Sequence, residues 1–448
     1  MQKAKNQPPR NKWEMLPFDQ VAIPQSDQGK RVKQRDYLST GRLPVIDQGQ
    51  GFIGGYVDDP RLAFEGDLPV ILFGDHTRAV KFVDRPFAVG AEGIKIFRPS
   101  AFVTPKYLFH WMRAAKLPDR GYGRHYQYLR QLKIPAPPIV EQERIVAEIE
   151  KQFSCIDEAV ANLKRVKANL KRYKAAVLKA AVEGRLVPTE AELARKEGRT
   201  YETGEQLLAR ILKERRTAWE KQNAGSPKKK YKEPQSIDTS NLPHLPEGWA
   251  WAALETVGQE GRPIIYGIIK PGPHVPGGVP YVRVTEMKDG RVDLQSLRRT
   301  SHERAAKFAR ATLQGGDVLI SKDGTIGRVA IVPIELEGGN ITQHVMRVPI
   351  HTSIWRDYAV WAIRSDSCQK WLTSETKGVA LRGVNVEDFR RLPIPVPPIR
   401  EQQRIAAEIA SRLSIADELE TQVNANLQRG DHLRQTILLR AFQSEPST

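Results

Sequence analysis

"IPAPPIVEQERIVAEIE", residues 134–150, places prolines at 135, 137 and 138 directly ahead of helix-forming sequence. Proline fixes φ at about −65° and has no N–H to donate, so the stretch ends a strand in an extended rod and opens a helix. A close copy, "IPVPPIREQQRIAAEIA", starts at Ile394, 260 residues later. Residues 132–150 and 392–410 align without a gap and share 13 of 19 positions. The register extends upstream, where Gly123 meets Gly383, and downstream to Val177-Leu178 against Ile437-Leu438. A fainter echo opens each half: "KWEMLPFDQVA" (12–22) and "GWAWAALETVG" (248–258) share a Trp and, eight residues on, a Val. Internal repetition on this scale sets the architecture, here A-B-A′-B′ with variable A segments and similar B segments.

Each B segment predicts a long helix, the first from Ile139 to about Val182, roughly 65 Å at 1.5 Å per residue. Glu141 and Glu143 fall where the helix dipole favours acids, and Arg144 with Glu148 forms an (i, i+4) pair repeated as Arg404 with Glu408. The apolar period is seven. Ile149, Ile156, Leu163, Leu170 and Val177 form one seam position, and Ile145, Gln152, Ala159, Val166, Tyr173 and Ala180 the other. The second copy keeps Ile405, Ile409, Leu419, Val423, Leu433 and Ile437 but is interrupted by Arg412, Asn426, Gly430 and Arg440, with a bend expected near Gly430. Neither helix buries its seam alone, so the two are expected to pair with each other.

The A segments read as α+β domains: short apolar runs such as "LPVILF" (68–73), "DVLIS" (317–321) and "GRVAIV" (327–332) alternate with Gly- and Pro-rich turns. "PKYLFHWMRAA" (105–115) and "WRDYAVWAIRS" (355–365) read as helices ahead of each repeat. Residues 184–244 read as a polar basic linker with a short helix, "GEQLLARILKERRTAWEKQ".

The 448 residues carry a formal charge of +18. That balance points to a polyanion, nucleic acid before an anionic membrane surface. Two cysteines, Cys155 and Cys368, exclude a disulfide framework and fit a reducing cytoplasm. No apolar run is long enough for a membrane span, and no signal peptide is expected.

No motif makes a self-sufficient active site. Gly49, Gly51 and Gly54 in "DQGQGFIGG" have dinucleotide-fold spacing, but "YVDDP" follows where that fingerprint needs a helix. They read as turn glycines. Glu286-x-Lys288 has nuclease-like spacing without a second acid nearby, and Asp75-His76 and His344 lack further metal ligands. No catalytic or metal residue is assigned. Polar and basic loops are the better candidates, because Arg, Lys, Gln and Asn can read base edges and glycine turns let backbone approach phosphate. In the first A segment these are Gln48, Gly49 and Gly51, then His76, Thr77, Arg78 and Lys81 of "FGDHTRAVK", then Arg120, Arg124, His125 and Gln127. In the second they are Arg283, then Lys322, Thr325 and Arg328 of "SKDGTIGR", then Gln343 and His344, then Lys377, Arg382 and Asn385.

The repeated "IPxPPIxEQxRIxxEI", the opening "LPEGWAWAALETV" (245–257), "GDVLISKDGTIGRVAIV" (316–332) and "ILFGDHTR" (71–78) together resemble the specificity subunit of type I restriction–modification systems. The resemblance spans essentially the whole chain. It implies an α+β fold of two mixed target-recognition domains (1–135 and 245–395), separated by two long spacer helices (136–183 and 396–448). The helices would form an intramolecular antiparallel coiled coil with a pseudo-two-fold. It implies a non-catalytic subunit that reads a bipartite double-stranded DNA target and holds two methyltransferase subunits, then restriction subunits, in the cytoplasm on the nucleoid. S-adenosylmethionine, ATP and Mg would serve the partners, with no cofactor on this chain and no membrane contact. Glu141, Gln142 and Arg144, with Glu401, Gln402 and Arg404, are either helix-start devices or a docking surface for the methyltransferase. The rival readings are a nuclease or methyltransferase with an unrecognised motif, and a non-specific basic scaffold.

Overall fold

A computed structural model describes residues 13–90, 93–119, 121, 123–224, 230–288, 290–376 and 383–442. They form two compact units, residues 1–166 with 422–448, and residues 167–421.

The first unit runs β1 (Glu14–Pro17), a one-turn α1 (Phe18–Val21), β2 (Ala22–Gln25), β3 (Arg31–Val32), β4 (Leu43–Ile46) and β5 (Gly55–Val57). It continues through β6 (Val70–Gly74), β7 (Val80–Val83), β8 (Ala88–Gly90), β9 (Ile94–Pro99), α2 (Pro105–Ala114), α3 (Tyr126–Leu129) and β10 (Lys133–Ala136) into α4 (Ile139–Val182). Strands order β2-β9-β6-β7 in one sheet and β3-β8-β4-β5 in another. All five residues of β6 are buried because both faces of its sheet are covered. One face meets α2 through Tyr107, Leu108, Trp111 and Met112, with the Phe18 and Phe97 rings edge-on at 5.3 Å. The other face holds Ile46, Val70, Leu72, Phe87 and Ile96.

The second unit opens with α5 (Glu190–Glu197) and α6 (Gly204–Gln222), both started by capping boxes on Thr189 and Thr203. The quoted linker helix is therefore present, and it packs into the core of this unit. Leu207 and Ile211 sit in the same core as Trp249, Ile394 and Ile405. Then come β11 (Ala250–Ala253), β12 (Ile265–Tyr266), β13 (Val279–Val282), β14 (Met287–Lys288), β15 (Arg291–Val292), β16 (Arg298–Thr300) and α7 (His302–Ala306). They are followed by β17 (Val318–Ser321), β18 (Val329–Ile331), β19 (Asn340–Ile341), β20 (Val345–Val348), α8 (Arg356–Arg364), α9 (Asp366–Ser374), α10 (Val386–Arg390), β21 (Pro393–Val396) and α11 (Ile399–Ala441). Here the sheets order β12-β20-β17-β18 and β16-β13-β19.

The repeated junction has one construction in both units. β1 pairs antiparallel with β10, and β11 with β21, in registers that put Trp13 level with Trp249 and Glu14 level with Ala250. The Tyr107 hydroxyl donates to the Pro135 carbonyl at 2.8 Å, and Tyr358 does the same to Pro395. Proline-rich strand ends leave carbonyls without strand partners, and these tyrosines satisfy one each.

Within each unit α4 and α11 lie side by side and antiparallel. Asp157 meets Arg434 in the first unit, and Lys174 meets Asp417 and Glu420 in the second. The seam differs from the heptad expectation on one side. Ile149, Leu170 and Val177 are buried, but Val166 and Tyr173 face out. The second row lies four residues after the first rather than three, through Phe153, Val160, Lys174 and Ala181. On α11 the buried row is Ile409, Ala416, Val423 and Gly430, while Leu419 and Leu433 point to solvent. Gly430 breaks nothing. α11 is helical throughout, and a Cβ at 430 would stand 3.1 Å from a Val160 methyl, so the glycine admits the opposing helix. Nor does Arg144 reach Glu148: it pairs with Glu141, one turn back toward the helix start.

Candidate nucleic-acid interface

In the first unit three of the candidate loops converge. The Thr77 hydroxyl donates to the Gln48 carbonyl, the His76 amide reaches the Gln48 side chain at 3.3 Å, and Gln50 Nε2 donates to the Thr77 carbonyl at 3.3 Å. The 47–52 loop and the β6–β7 turn are thus one body. Asp75 adds the third loop. Its carbonyl accepts the His125 amide at 2.9 Å, and its carboxylate caps α3 at the Tyr126 amide, 2.7 Å away.

The roles inside this body are unequal. Arg78, held in the left-handed region at φ +60°, is exposed, and its guanidinium pairs with Asp119 at 3.5 Å. Arg124 and Gln127 are exposed beside it in sequence to α3. An ion pair this open contributes little, so phosphate or a base edge can displace it. Lys81 and His125 are different and correct the sequence expectation. Lys81 is 5% exposed and donates to the carbonyls of Asp47 (2.7 Å) and Gly51 (2.5 Å). Burial pushes its ammonium below the usual lysine range against the pull of Asp47. It ties the glycine loop down and offers no charge to a ligand. His125 is fully buried, its Nδ1 3.0 Å from the Asp75 carbonyl. Gly51 is exposed, and β5 follows the glycines directly, so they shape a turn, as their sequence context required.

In the second unit the β17–β18 turn carries the equivalent surface. Ser321 pins it by accepting the Arg328 amide at 2.8 Å and donating to the Thr325 carbonyl. Thr325 and Arg328 are left exposed. Asp323 is buried and gathers Lys322 at 2.8 Å and His344 Nδ1 at 2.9 Å, while Gln343 Nε2 lies 3.2 Å from His344 Nε2. The Val384 amide donates to the Lys322 carbonyl at 3.0 Å, closing the turn against the segment that leads into α10. Asn385 caps α10 at the Asp388 amide, 2.8 Å, and is engaged there. Arg283 pairs with Glu286, which is buried, so the nuclease-like acid is committed to an arginine. Arg120, Lys377 and Arg382 lie outside the described residues. Sequence reasoning did not single out Asp47 and Asp323, which organise these loops together with Asp75. Asp47 and Asp75 each follow a strand directly, and Asp323 stands two residues after one.

The repeat residues divide as well. Gln142 is fully buried. Its Oε1 accepts the Thr104 amide at 2.7 Å and its Nε2 donates to the Phe102 and Pro137 carbonyls at 2.8 and 2.9 Å. Gln402 copies this with the Trp355 amide and the Pro397 carbonyl, both at 2.8 Å. These glutamines lock each helix start to the α+β domain before it and cannot line a docking surface. Glu401 is also sealed, accepting the Glu190 amide at 2.8 Å and the Trp249 indole N–H at 3.0 Å. Its counterpart Glu141 is only half-buried and pairs with Arg144 at 2.6 Å.

Among known proteins, the type I restriction modification DNA specificity domain matches residues 270–429. The type I restriction enzyme EcoBI specificity subunit of Escherichia coli is 29% identical over 326 residues, 71% of this chain and 59% of that protein. The EcoKI specificity subunit of E. coli strain K12 is 21% identical over 78% of this chain and 67% of its own length. This chain thus spans about three-fifths of the EcoBI subunit. The fold is shared with the HsdS subunit from Thermoanaerobacter tengcongensis, TM-score 0.50, at 16% identity over 97% of each chain. It is shared also with a chain solved in work on complex assembly and conformational transition of the type I R-M system, TM-score 0.58, 17% identical over 97% and 98%. Residues 270–429 thus match the type I restriction modification DNA specificity domain, and most of the chain is similar to type I restriction enzyme specificity subunits.

Proposed function

We propose that this chain reads a bipartite double-stranded DNA target, one half per recognition domain, and carries no chemistry itself. The observation that supports this most directly is the loop body of the first unit, where three segments far apart in sequence are tied together and leave Arg78, Arg124 and Gln127 exposed. Side chains that read base edges must be held in place by groups that do not touch DNA. Lys81, Asp75 and His125 supply that support. The turn at Thr325 and Arg328 does the same work in the second unit.

On this reading the α4–α11 pair is the spacer, and methyltransferase and restriction subunits assemble on the chain. S-adenosylmethionine, ATP and Mg act in those partners, in the cytoplasm on nucleoid DNA. No helix among the described residues is long and apolar enough to cross a membrane.

Exchanging residues 1–135 for those of another specificity subunit is expected to change one half of the methylated motif and leave the other intact. Genome-wide methylation mapping reads this out, and a change in both halves or neither would overturn modular reading. An enzyme in its own right would modify or cut DNA when the purified chain is given S-adenosylmethionine or Mg²⁺ alone. Within the first domain, Arg124→Ala is expected to weaken target binding severalfold. If Arg124 meets phosphate, it should also lower the slope of log affinity against log salt by about one. A titration over salt concentration separates that from a base contact, which leaves the slope unchanged and relaxes one position of the target.

A further inference from the structure

Gln343 and His344 form the tip of the tight turn between β19 and β20, and the backbone of that turn is fixed from two sides. The Gln343 amide donates to the Ile268 carbonyl at 3.0 Å, and the His344 carbonyl accepts the Lys322 amide at 3.0 Å. The side chains are fixed as well, in a series of three. Asp323 is 9% exposed, and its carboxylate accepts from the Lys322 ammonium at 2.8 Å and from His344 Nδ1 at 2.9 Å. Gly383 lies so close to this carboxylate that a Cβ there would strike Oδ1. A carboxylate beside a lysine ammonium has no proton to give. Nδ1 therefore carries the hydrogen and, in the neutral ring, Nε2 is left as an acceptor.

That acceptor sets the next side chain. Gln343 Nε2 lies 3.2 Å from His344 Nε2. A ring acceptor takes the nitrogen of the amide and repels its oxygen, so the histidine decides which way round the amide stands. One N–H is used in this way. The second N–H and Oε1 have no side-chain or backbone partner among the described residues, and the glutamine is only half-buried. Thr325 and Arg328 are exposed on the neighbouring β17–β18 turn, whose Asp323 begins the series.

A donor and an acceptor side by side, in a fixed order, match one base edge in the major groove. Adenine presents the N6 amino group next to N7. Guanine presents two acceptors there, cytosine one donor and thymine one acceptor. We propose that Gln343 reads an adenine in the half-site of the second domain, and that His344 and Asp323 are positioning residues that fix the polarity of its amide. Oε1 accepts from the N6 amino group and the second N–H of Nε2 donates to N7. His344 acts through Gln343 and not on a base. The inference rests on the proposed function, in which the second domain reads one half of the target, and adds which base it reads and with which atoms.

The test uses the full chain assembled with the methyltransferase subunit of its own system, on duplexes carrying the target found by methylation mapping. 7-Deazaadenine, which lacks the N7 acceptor, replaces each adenine of the second half-site in turn. One replacement is expected to weaken binding by the native chain about tenfold and to leave binding by Gln343→Ala unchanged. At the same position, His344→Phe keeps a ring but no acceptor, and should lower discrimination of adenine over the other bases about tenfold while other positions are read as before. Gln343→Glu presents two acceptors and should shift the preference there toward cytosine, whose N4 amino group donates. If no adenine of the second half-site is sensitive to the replacement, or if the sensitivity survives in Gln343→Ala, the inference falls and the proposed function stands. If His344→Phe relaxes every position of the half-site equally, the ring is general support and its positioning role is overturned. A native assembly that binds all duplexes alike refutes the proposed function instead.

Discussion

Gln142→Leu is expected to cost the first unit about 4 kcal/mol, close to a thousandfold in its folding equilibrium. Leucine matches the volume, so packing is not the cause. The substitution strands the Thr104 amide and the Phe102 and Pro137 carbonyls, all three bonded to this one side chain at 2.7–2.9 Å. Buried groups left without partners cost about 1–3 kcal/mol each. Gln142→Glu separates geometry from volume. Its carboxylate can still accept from Thr104 but faces two carbonyl oxygens without a proton to offer, so it too should be strongly destabilising at neutral pH. Urea unfolding followed by circular dichroism gives the loss. A change under 1 kcal/mol for both variants would mean that the junction is held elsewhere. The same pair of substitutions at Gln402 should act on the second unit with a smaller cost, since two bonds rather than three are lost.

That lock explains what the proline-to-helix repeat could and could not disclose. The repeat located the start of α4 at Ile139, because proline chemistry at a helix start is local. It could not say that the glutamine turns inward, since a Gln at the fourth helical position reads equally as capping, solvated or docking. The seam was half legible for a related reason. Ile149, Leu170 and Val177 recur every seven residues and are buried, but the companion row is set by how closely α11 approaches. The glycine at 430 sets that approach where it meets Val160, and in the sequence it reads as a defect. The candidate loops were found because basic and amide side chains cluster on glycine turns. Lys81 was assigned outward with them, yet a bent loop with unpaired carbonyls holds a lysine as readily as DNA does. Composition does not distinguish those acceptors; only the fold brings residues 47–52 against β7.

Glu401 gives the second large effect, one that depends on pH. Burial pushes its carboxyl up to about 7, from 4.5, and the Glu190 amide, the Trp249 indole and Arg404 draw it back only part way. Below about pH 4.5 the group is protonated whether folded or unfolded, and it costs nothing. Between 4.5 and 7 the unfolded chain releases a proton that the folded unit retains, so stability falls as pH rises, by at most about 1.4 kcal/mol per unit and about 3 kcal/mol in all. Above 7 the full cost is carried. Glu190 runs the other way. Burial opposes its ionisation, but Arg404 and Arg199 hold its carboxyl below the usual range, so its stabilisation is present above pH 4.5 and lost as pH falls through the folded value. Glu401→Gln is expected to lose one of the two hydrogen bonds at every pH, because its amide nitrogen must face either Glu190 N or Trp249 Nε1, both donors. It should also abolish the decline between pH 4.5 and 7 while keeping the acid-side decline that belongs to Glu190. The variant is therefore less stable than the native chain at pH 5 and closes the gap by pH 8. Urea midpoints of the second unit at pH 5, 6, 7 and 8 test this, and two parallel curves would show that Glu401 does not titrate in that range.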